Sequence, residues 1–217
     1  MKQKAEDSPN DGLVVLDEDG ELFLSVGNSP TITRFQVCPA TMRRTSRVWK
    51  AMLFGGWSET KPTSGPWNVS LPEDSSEAMR VVLAIIHGRF ELLPPDSDWS
   101  LRGVYDIICM LNKYDIVKII RPWVKTYMEL ANGDLTNYAP PLFSVPRSTA
   151  SARREQSLYT AWELGNETLF VQRATEICLI ATTSSFGFSI QLCNDDGTAL
   201  SSIDHLGPHD FVGKSCC

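Results

Sequence analysis

The segment "LPEDSSEAMRVVLAIIHG" at residues 71–88 constrains this chain more than any other. Met79, Val82, Leu83 and Ile86 recur at i, i+3, i+4 and i+7, the spacing of one helical face. Ala78, Val81 and Ile85 widen that stripe until only Arg80 and His87 stay polar. Such a helix cannot lie on a surface and must be enclosed by other elements. Its ends are marked as plainly as its interior. Asp74 reads as the N-cap, and Glu77 three residues on completes a capping box. Gly88 supplies the left-handed stop, and His87 suits the negative end of the helix dipole. His87 also has the chemistry of a ligand or a base, but no neighbouring residue shares either task, so a capping role is favoured.

The flanking sequence supplies a small sheet. Leu22, Leu24 and Val26 alternate with Phe23 and Ser25, and a second alternation runs from Ile32 to Val37 after the turn residues "GNSP". These two runs read as a hairpin. Upstream, "DEDG" at 17–20 resembles the start of a calcium loop but lacks the later ligands, so a turn is expected. "WNVSL" at 67–71 places Trp67, Val69 and Leu71 on one face and reads as a third strand. Between hairpin and third strand, Pro39 opens a helical stretch that keeps its apolar face inward only if it breaks near Thr45-Ser46. "GGWSETKPTSGP" is then a surface loop.

Helices dominate the rest. Leu101, Val104, Ile107, Ile108 and Leu111 form one stripe, and Ile116, Ile119, Ile120, Trp123, Val124 and Tyr127 form another. "NKYD" separates them, with Asp115 as the cap of the second helix and a kink at Pro122, giving a helical hairpin. Residues 131–156 are rich in Pro, Ser and Ala without a period and read as a linker. Leu158, Ala161 and Trp162 lead to a stop at Gly165, and Asn166 caps a helix bearing Phe170, Ala174, Ile177 and Cys178. The tail offers one weak strand, "FGFSIQL".

Composition excludes several classes. With 20 basic and 26 acidic residues among 217, the net charge is −6, which disfavours nucleic acid or an anionic membrane as a direct partner. Arg43, Arg44 and Arg47 read as the solvated side of a helix. No apolar run is long enough to span a bilayer, and "MKQKAEDSPND" lacks the apolar core of a secretory signal. The six cysteines show no metal-type pairing, so reduced thiols in an intracellular compartment, nucleus or cytoplasm, are expected. The sequons at Asn68 and Asn166 are then accidental, and Cys216-Cys217 reads as an unstructured end.

The order of these segments resembles the BTB/POZ family, and most of all its large fungal group. Arg34-Phe35-Gln36-Val37 stands where that family has its strand before the first helix. Arg47 to Leu53 is similar to its "SPVFRAML" helix, "LPEDSSEAM…IIHG" to its "LPDDDPEAF…LHG" pattern, and "NKYD" to "DKYD", with Asn112 in place of an acid. "LYTAWELGNETLF" resembles the "AWVFGDEELF" segment that follows the BTB region in the fungal proteins. The resemblance implies an α+β fold in which a helical cluster is capped by a small three-stranded sheet, with extra C-terminal helices. The expected organisation is a disordered arm at 1–12, a BTB/POZ-like domain at 13–130, the linker at 131–156, a helical pair packing on the BTB region at 157–185, and a poorly structured tail at 186–217.

No phosphate loop, nucleophile elbow, zinc-protease helix or paired C-x-x-C stands in the sequence. His205 and His209 lie four apart, but the intervening Gly and Pro forbid a helix that presents both, and no metal or cofactor is expected. The expected function is therefore a non-enzymatic protein-interaction module. The resemblance implies self-association as a homodimer, or binding of a cullin scaffold as a ubiquitin-ligase adaptor. Met42, Trp49, Phe54 and Trp57 are the candidate self-association surface. Val104-Tyr105-Asp106 is the nearest match to the hydrophobic-x-acidic cullin contact, against a simpler reading in which Val104 is core and Asp106 faces solvent. The alternatives are a transcription-associated scaffold that reaches DNA through partners, and an enzyme of unrecognised type. A cleft with convergent polar groups would favour the latter.

Overall fold

A computed structural model of the chain describes residues 12–95, 98–133 and 147–180, together with the short segments 182–183 and 190–191. The expected N-terminal arm and most of the tail lie outside them. Seven α-helices and a four-stranded sheet make up most of the described residues, an α+β architecture.

Alternation sets the sheet. β2 (Leu22–Val26) buries Leu22, Leu24 and Val26, and β3 (Thr33–Val37) buries Phe35 and Val37. The two pair antiparallel, Leu22 opposite Val37 and Val26 opposite Thr33, so these side chains fall on one face. Ile32 precedes β3 and is half exposed, so the hairpin is one residue shorter than the pattern suggested. β4 (Trp67–Leu71) runs parallel to β2, with Trp67 and Val69 buried and Asn68 and Ser70 exposed.

The expected three-stranded sheet gains a fourth member. β1 (Leu13–Val15) pairs parallel with β3, giving the order β1-β3-β2-β4. Three consecutive apolar residues carry no alternation, and the strand character of β1 is supplied by β3. The "DEDG" turn joins β1 to β2. Gly20 donates its N–H to the Asp17 carbonyl (3.1 Å), and the Asp17 carboxylate accepts from the Asp19 N–H (2.9 Å). A Cβ on Gly20 would lie 2.6 Å from the Val37 carbonyl oxygen, so the close approach requires glycine.

α1 (Pro39–Thr45) and α2 (Arg47–Phe54) are separated by an extended Ser46, as the apolar pattern required. α3 (Ser76–Ile86) is the helix of the opening segment. Ala78, Met79 and the run Val81–Ala84 are buried, and Ile85 and Ile86 are partly so. Its N-cap is Ser75 rather than Asp74: the Ser75 hydroxyl accepts from the Ala78 N–H at 3.2 Å, and Asp74 has been drawn into the core. Gly88 takes the left-handed conformation expected of a stop.

α4 (Leu101–Lys113) matches its stripe. Past its end the chain departs from the expected kinked helix. Asp115 does not cap; it adopts φ 55°, a left-handed conformation that Asp tolerates better than most residues. A 3-10 segment, Val117–Trp123, then carries Pro122 before α5 (Val124–Asn132) begins. α6 (Arg147–Glu163) starts ten residues inside the span read as a linker. Its first turns, "RSTASARREQ", suit a helix by propensity but carry no apolar stripe to announce it. α7 (Glu167–Ile180) is capped as anticipated: Asn166 Oδ1 accepts from the Leu169 N–H at 3.0 Å, after Gly165 at positive φ. β5 (Thr182–Thr183) and β6 (Ile190–Gln191) form a separate antiparallel pair, the latter within the anticipated "FGFSIQL" strand.

The described residues divide into two compact units: those of Pro94–Cys109 and from Ile120 onward form the second, and the others, including Met110–Ile119, the first. The first unit centres on the inner faces of the sheet, α2 and α3. In the second, Ala131, Ala161 and Leu169 form a small core against which Leu101, Met128 and Phe170 pack.

Candidate interaction surface

The surface begins with the break between α1 and α2. Ser46 accepts from the Trp49 N–H at 3.0 Å and donates its hydroxyl to the Tyr114 carbonyl at 2.6 Å, so one side chain caps α2 and ties it to the end of α4. The Trp49 ring lies against that of Tyr114, with centroids 4.7 Å apart. This turns Trp49 and Leu53 inward and leaves Arg47, Lys50, Ala51 and Phe54, at i, i+3, i+4 and i+7, exposed.

Phe54 ends that outer face at 43% exposure. Its ring meets Trp67 edge-on at 5.8 Å, and the Arg43 guanidinium stands 5.0 Å from its centroid, linking the solvent side of α1 to α2. Trp57 lies three residues on at 68% exposure, the most exposed large apolar side chain among the described residues. It is held near the helix end: a Cβ on Gly55 would come within 3.2 Å of the Trp57 ring and 2.2 Å of the Ala51 carbonyl oxygen.

The breaker-rich loop that carries Trp57 is fixed by hydrogen bonds. Gly56 donates its N–H to the Thr60 hydroxyl (3.1 Å), and the Thr60 N–H reaches the Trp57 carbonyl (3.0 Å). Trp67 Nε1 donates to the Glu59 carbonyl (2.8 Å), and Lys61 pairs with Glu21 at the exposed rim. A large aromatic side chain is therefore displayed on an ordered loop, at a fixed distance from a helix face.

Of the four residues expected to form a self-association surface, Phe54 and Trp57 are exposed. Met42 and Trp49 are fully buried. Trp49 and Phe54 are five residues apart on α2 and so point to different sides of it, Trp49 to the core and Phe54 to solvent, while Met42 is on the buried face of α1. The residues expected as a cullin contact are mostly packed inward on α4. Val104 is fully buried, and Tyr105 is buried edge-on against Tyr159 at 5.5 Å between centroids. Only Asp106 is partly exposed, and Arg102 binds it at 2.9 Å. Residues 104–106 match the simpler reading of a helix with one packed and one solvent face.

Three polar groups take roles that the sequence did not indicate. Asp74, buried, accepts from the Tyr114 hydroxyl (2.5 Å) and from Lys113 Nζ (2.6 Å). Burial, with the Asp74 charge beside it, pushes the Tyr114 phenol far above its ordinary value, so the phenol keeps its proton. His87 accepts the Cys38 N–H at Nε2 (3.1 Å), while Nδ1 lies 2.9 Å from the Leu83 carbonyl, which makes Nδ1 the protonated nitrogen. It bridges α3 to the start of α1 as a neutral ring. Desolvation lowers its pKa, against smaller opposing contributions from Leu83 and Asp17, so it does not serve the dipole as a cation.

Arg173 is the third. It is buried in the second unit, donating to the Ser157 hydroxyl at 3.0 Å and to both Glu176 oxygens at 2.9 Å, with the carbonyls of Ala131 and Gly133 at the end of α5 at 3.5 Å. The i,i+3 pairing of Arg173 with Glu176 was the available sequence signal for it.

Among the described residues, no group of three or more His, Cys, Asp or Glu side chains is placed to hold a metal ion. His205, His209, Cys216 and Cys217 lie outside them. Cys109 is half-buried and its thiol is pushed up to about 11, chiefly by burial, so it is a protonated packing residue. No helix among the described residues is long and apolar enough to cross a membrane. No family model matches the chain, and no curated protein matches its sequence.

Proposed function

We propose that this chain is a non-enzymatic protein-interaction module of BTB/POZ type, and that its contact face is centred on Trp57 and Phe54. The observation that carries this reading is an exposed tryptophan on a hydrogen-bonded loop, beside a half-exposed phenylalanine at a helix end. Aromatic side chains presented in a fixed geometry lose little conformational freedom on binding, and they are enriched at protein contacts. The BTB/POZ class rests on the ordered sequence resemblance, which suggests self-association or scaffold binding as the two modes.

Both modes are tested together by titrating the purified chain against a cullin N-terminal domain, with light scattering on the free protein. Saturable binding, or mass that rises with concentration, supports the reading if Trp57→Ser weakens it about tenfold, the effect of losing about 1.4 kcal/mol. Association that Trp57→Ser leaves unchanged overturns the assignment of the face. A chain that stays monomeric and binds no cullin overturns the BTB-type modes.

A further inference from the structure

The sequence carries no Asp or Glu between Glu21 and Glu59, but five basic residues: Arg34, Arg43, Arg44, Arg47 and Lys50. In a chain of net charge −6 this is a marked local reversal. Four of the five stand exposed on α1 and α2, the two helices that lead to the aromatic pair. Arg43 and Arg44 end α1 and are exposed, and Arg47 and Lys50 share the outer face of α2 with Phe54. Arg43 stands over the Phe54 ring, so charge and apolar surface are contiguous. Arg47 spends part of its charge on Asp115. Among the described residues, neither Arg44 nor Lys50 is paired with a carboxylate.

We infer that this face binds an acidic linear segment of a partner protein, with an apolar side chain seated against Phe54 and Trp57 and carboxylates on Arg43, Arg44 and Lys50. The inference rests on the contact face proposed above and names the chemistry of its occupant. Two competing occupants are disfavoured by charge. A two-fold contact of this face with its own copy, the self-association mode above, would set basic residues against basic residues, so of the two modes charge favours binding of a different protein at this face. A nucleic acid would meet the small basic face but also the net negative remainder of the chain, which a short acidic segment largely avoids.

The test is a selection from a random peptide library displayed against the full-length chain, with an Arg43→Glu/Arg44→Glu double variant selected in parallel. Both substituted side chains are exposed, and a thermal melt compares the fold of the variant with that of the parent. The expected result is enrichment of peptides with two or more acidic residues around an aromatic or large aliphatic one. A synthetic peptide of the enriched sequence then binds the parent. Its affinity falls at least about tenfold on raising salt from about 0.05 to about 0.5 M, because screening acts on exposed charges. It also falls at least about tenfold in the double variant and in Trp57→Ser.

Enrichment of neutral or basic peptides, or equal binding to the double variant, overturns the inference. So does tighter binding of a labelled single-stranded oligonucleotide than of the best peptide. Acidic enrichment on a chain that proves monomeric and unable to bind cullin supports the inference, even though the BTB-type modes would then have failed.

Discussion

At the scale of single residues, the first unit depends on polar side chains that bond partners distant in sequence. His87 is the clearest case. As a neutral ring it accepts one backbone N–H and binds one carbonyl, and protonation would turn its Nε2 acceptor into a donor facing the Cys38 N–H. Its folded pKa lies below the ordinary value of 6.5. Between the two values the unfolded chain binds more protons, so stability falls with falling pH. The contribution is complete above about 6.5 and declines below it. Urea midpoints compared at about pH 8 and about pH 5.5, either side of that value, should show the parent losing stability, and His87→Gln should show a smaller loss. An equal loss in both would mean that His87 does not titrate in this window.

The sequence placed His87 correctly at the end of its helix but not its charge state, because the Cys38 N–H comes from 49 residues away. Asp74 misled for the same reason. Locally it is a good N-cap, and only Lys113 and Tyr114 make its burial tolerable. Ser75, one residue on, takes over the cap at little cost, since serine serves that position equally well.

At the scale of elements, periodicity decided what was legible. Strands with alternation and helices with a stripe were readable to within a residue or two, as β2, β4, α3 and α4 show. Elements without an internal pattern were not. β1 is three apolar residues paired to β3, and the first turns of α6 carry no stripe. The 3-10 segment at Val117–Trp123 kept an apolar spacing close enough to helical that it read as part of an α-helix. The exposed aromatic face was half legible: the sequence singled out the right stretch, but Trp49 is turned inward against Tyr114, whose carbonyl bonds Ser46 from 68 residues away.

Arg173 supplies a prediction at this scale. Its guanidinium joins α5, α6 and α7 through Ser157, Glu176 and the two carbonyls at the end of α5. Arg173→Ala removes these bonds together and should cost about 2–4 kcal/mol, through the lost charge-assisted hydrogen bonds and the space left where the side chain packed. Chemical denaturation reads the loss directly. Arg173→Met keeps much of the volume and should recover part of it; if it recovers nothing, the hydrogen bonds rather than packing account for the effect.

At the scale of the whole molecule, the first unit is discontinuous in sequence. Residues up to Leu93 supply its sheet and α1–α3, but Met110–Ile119 supplies the Tyr114 ring against Trp49 and both partners of Asp74. A fragment ending at residue 93 should therefore lack a cooperative thermal transition, while the intact chain shows one. Circular dichroism on both checks this. A cooperative melt of the fragment would show that α4 is dispensable to the unit.

Synthesis on the ribosome meets this arrangement one residue at a time. The sheet, α2 and α3 leave the exit tunnel before Lys113 and Tyr114 exist, and elongation at about 5–20 residues per second makes the wait a matter of seconds. During that interval Asp74 is a charged group without its partners, next to a helix that is apolar on most sides. The nascent chain thus exposes the apolar faces of α3 for a defined period, and the residues that end it arrive at and just past the end of α4. Synonymous codons that slow translation between residues 93 and 114 would lengthen that exposure without changing the protein.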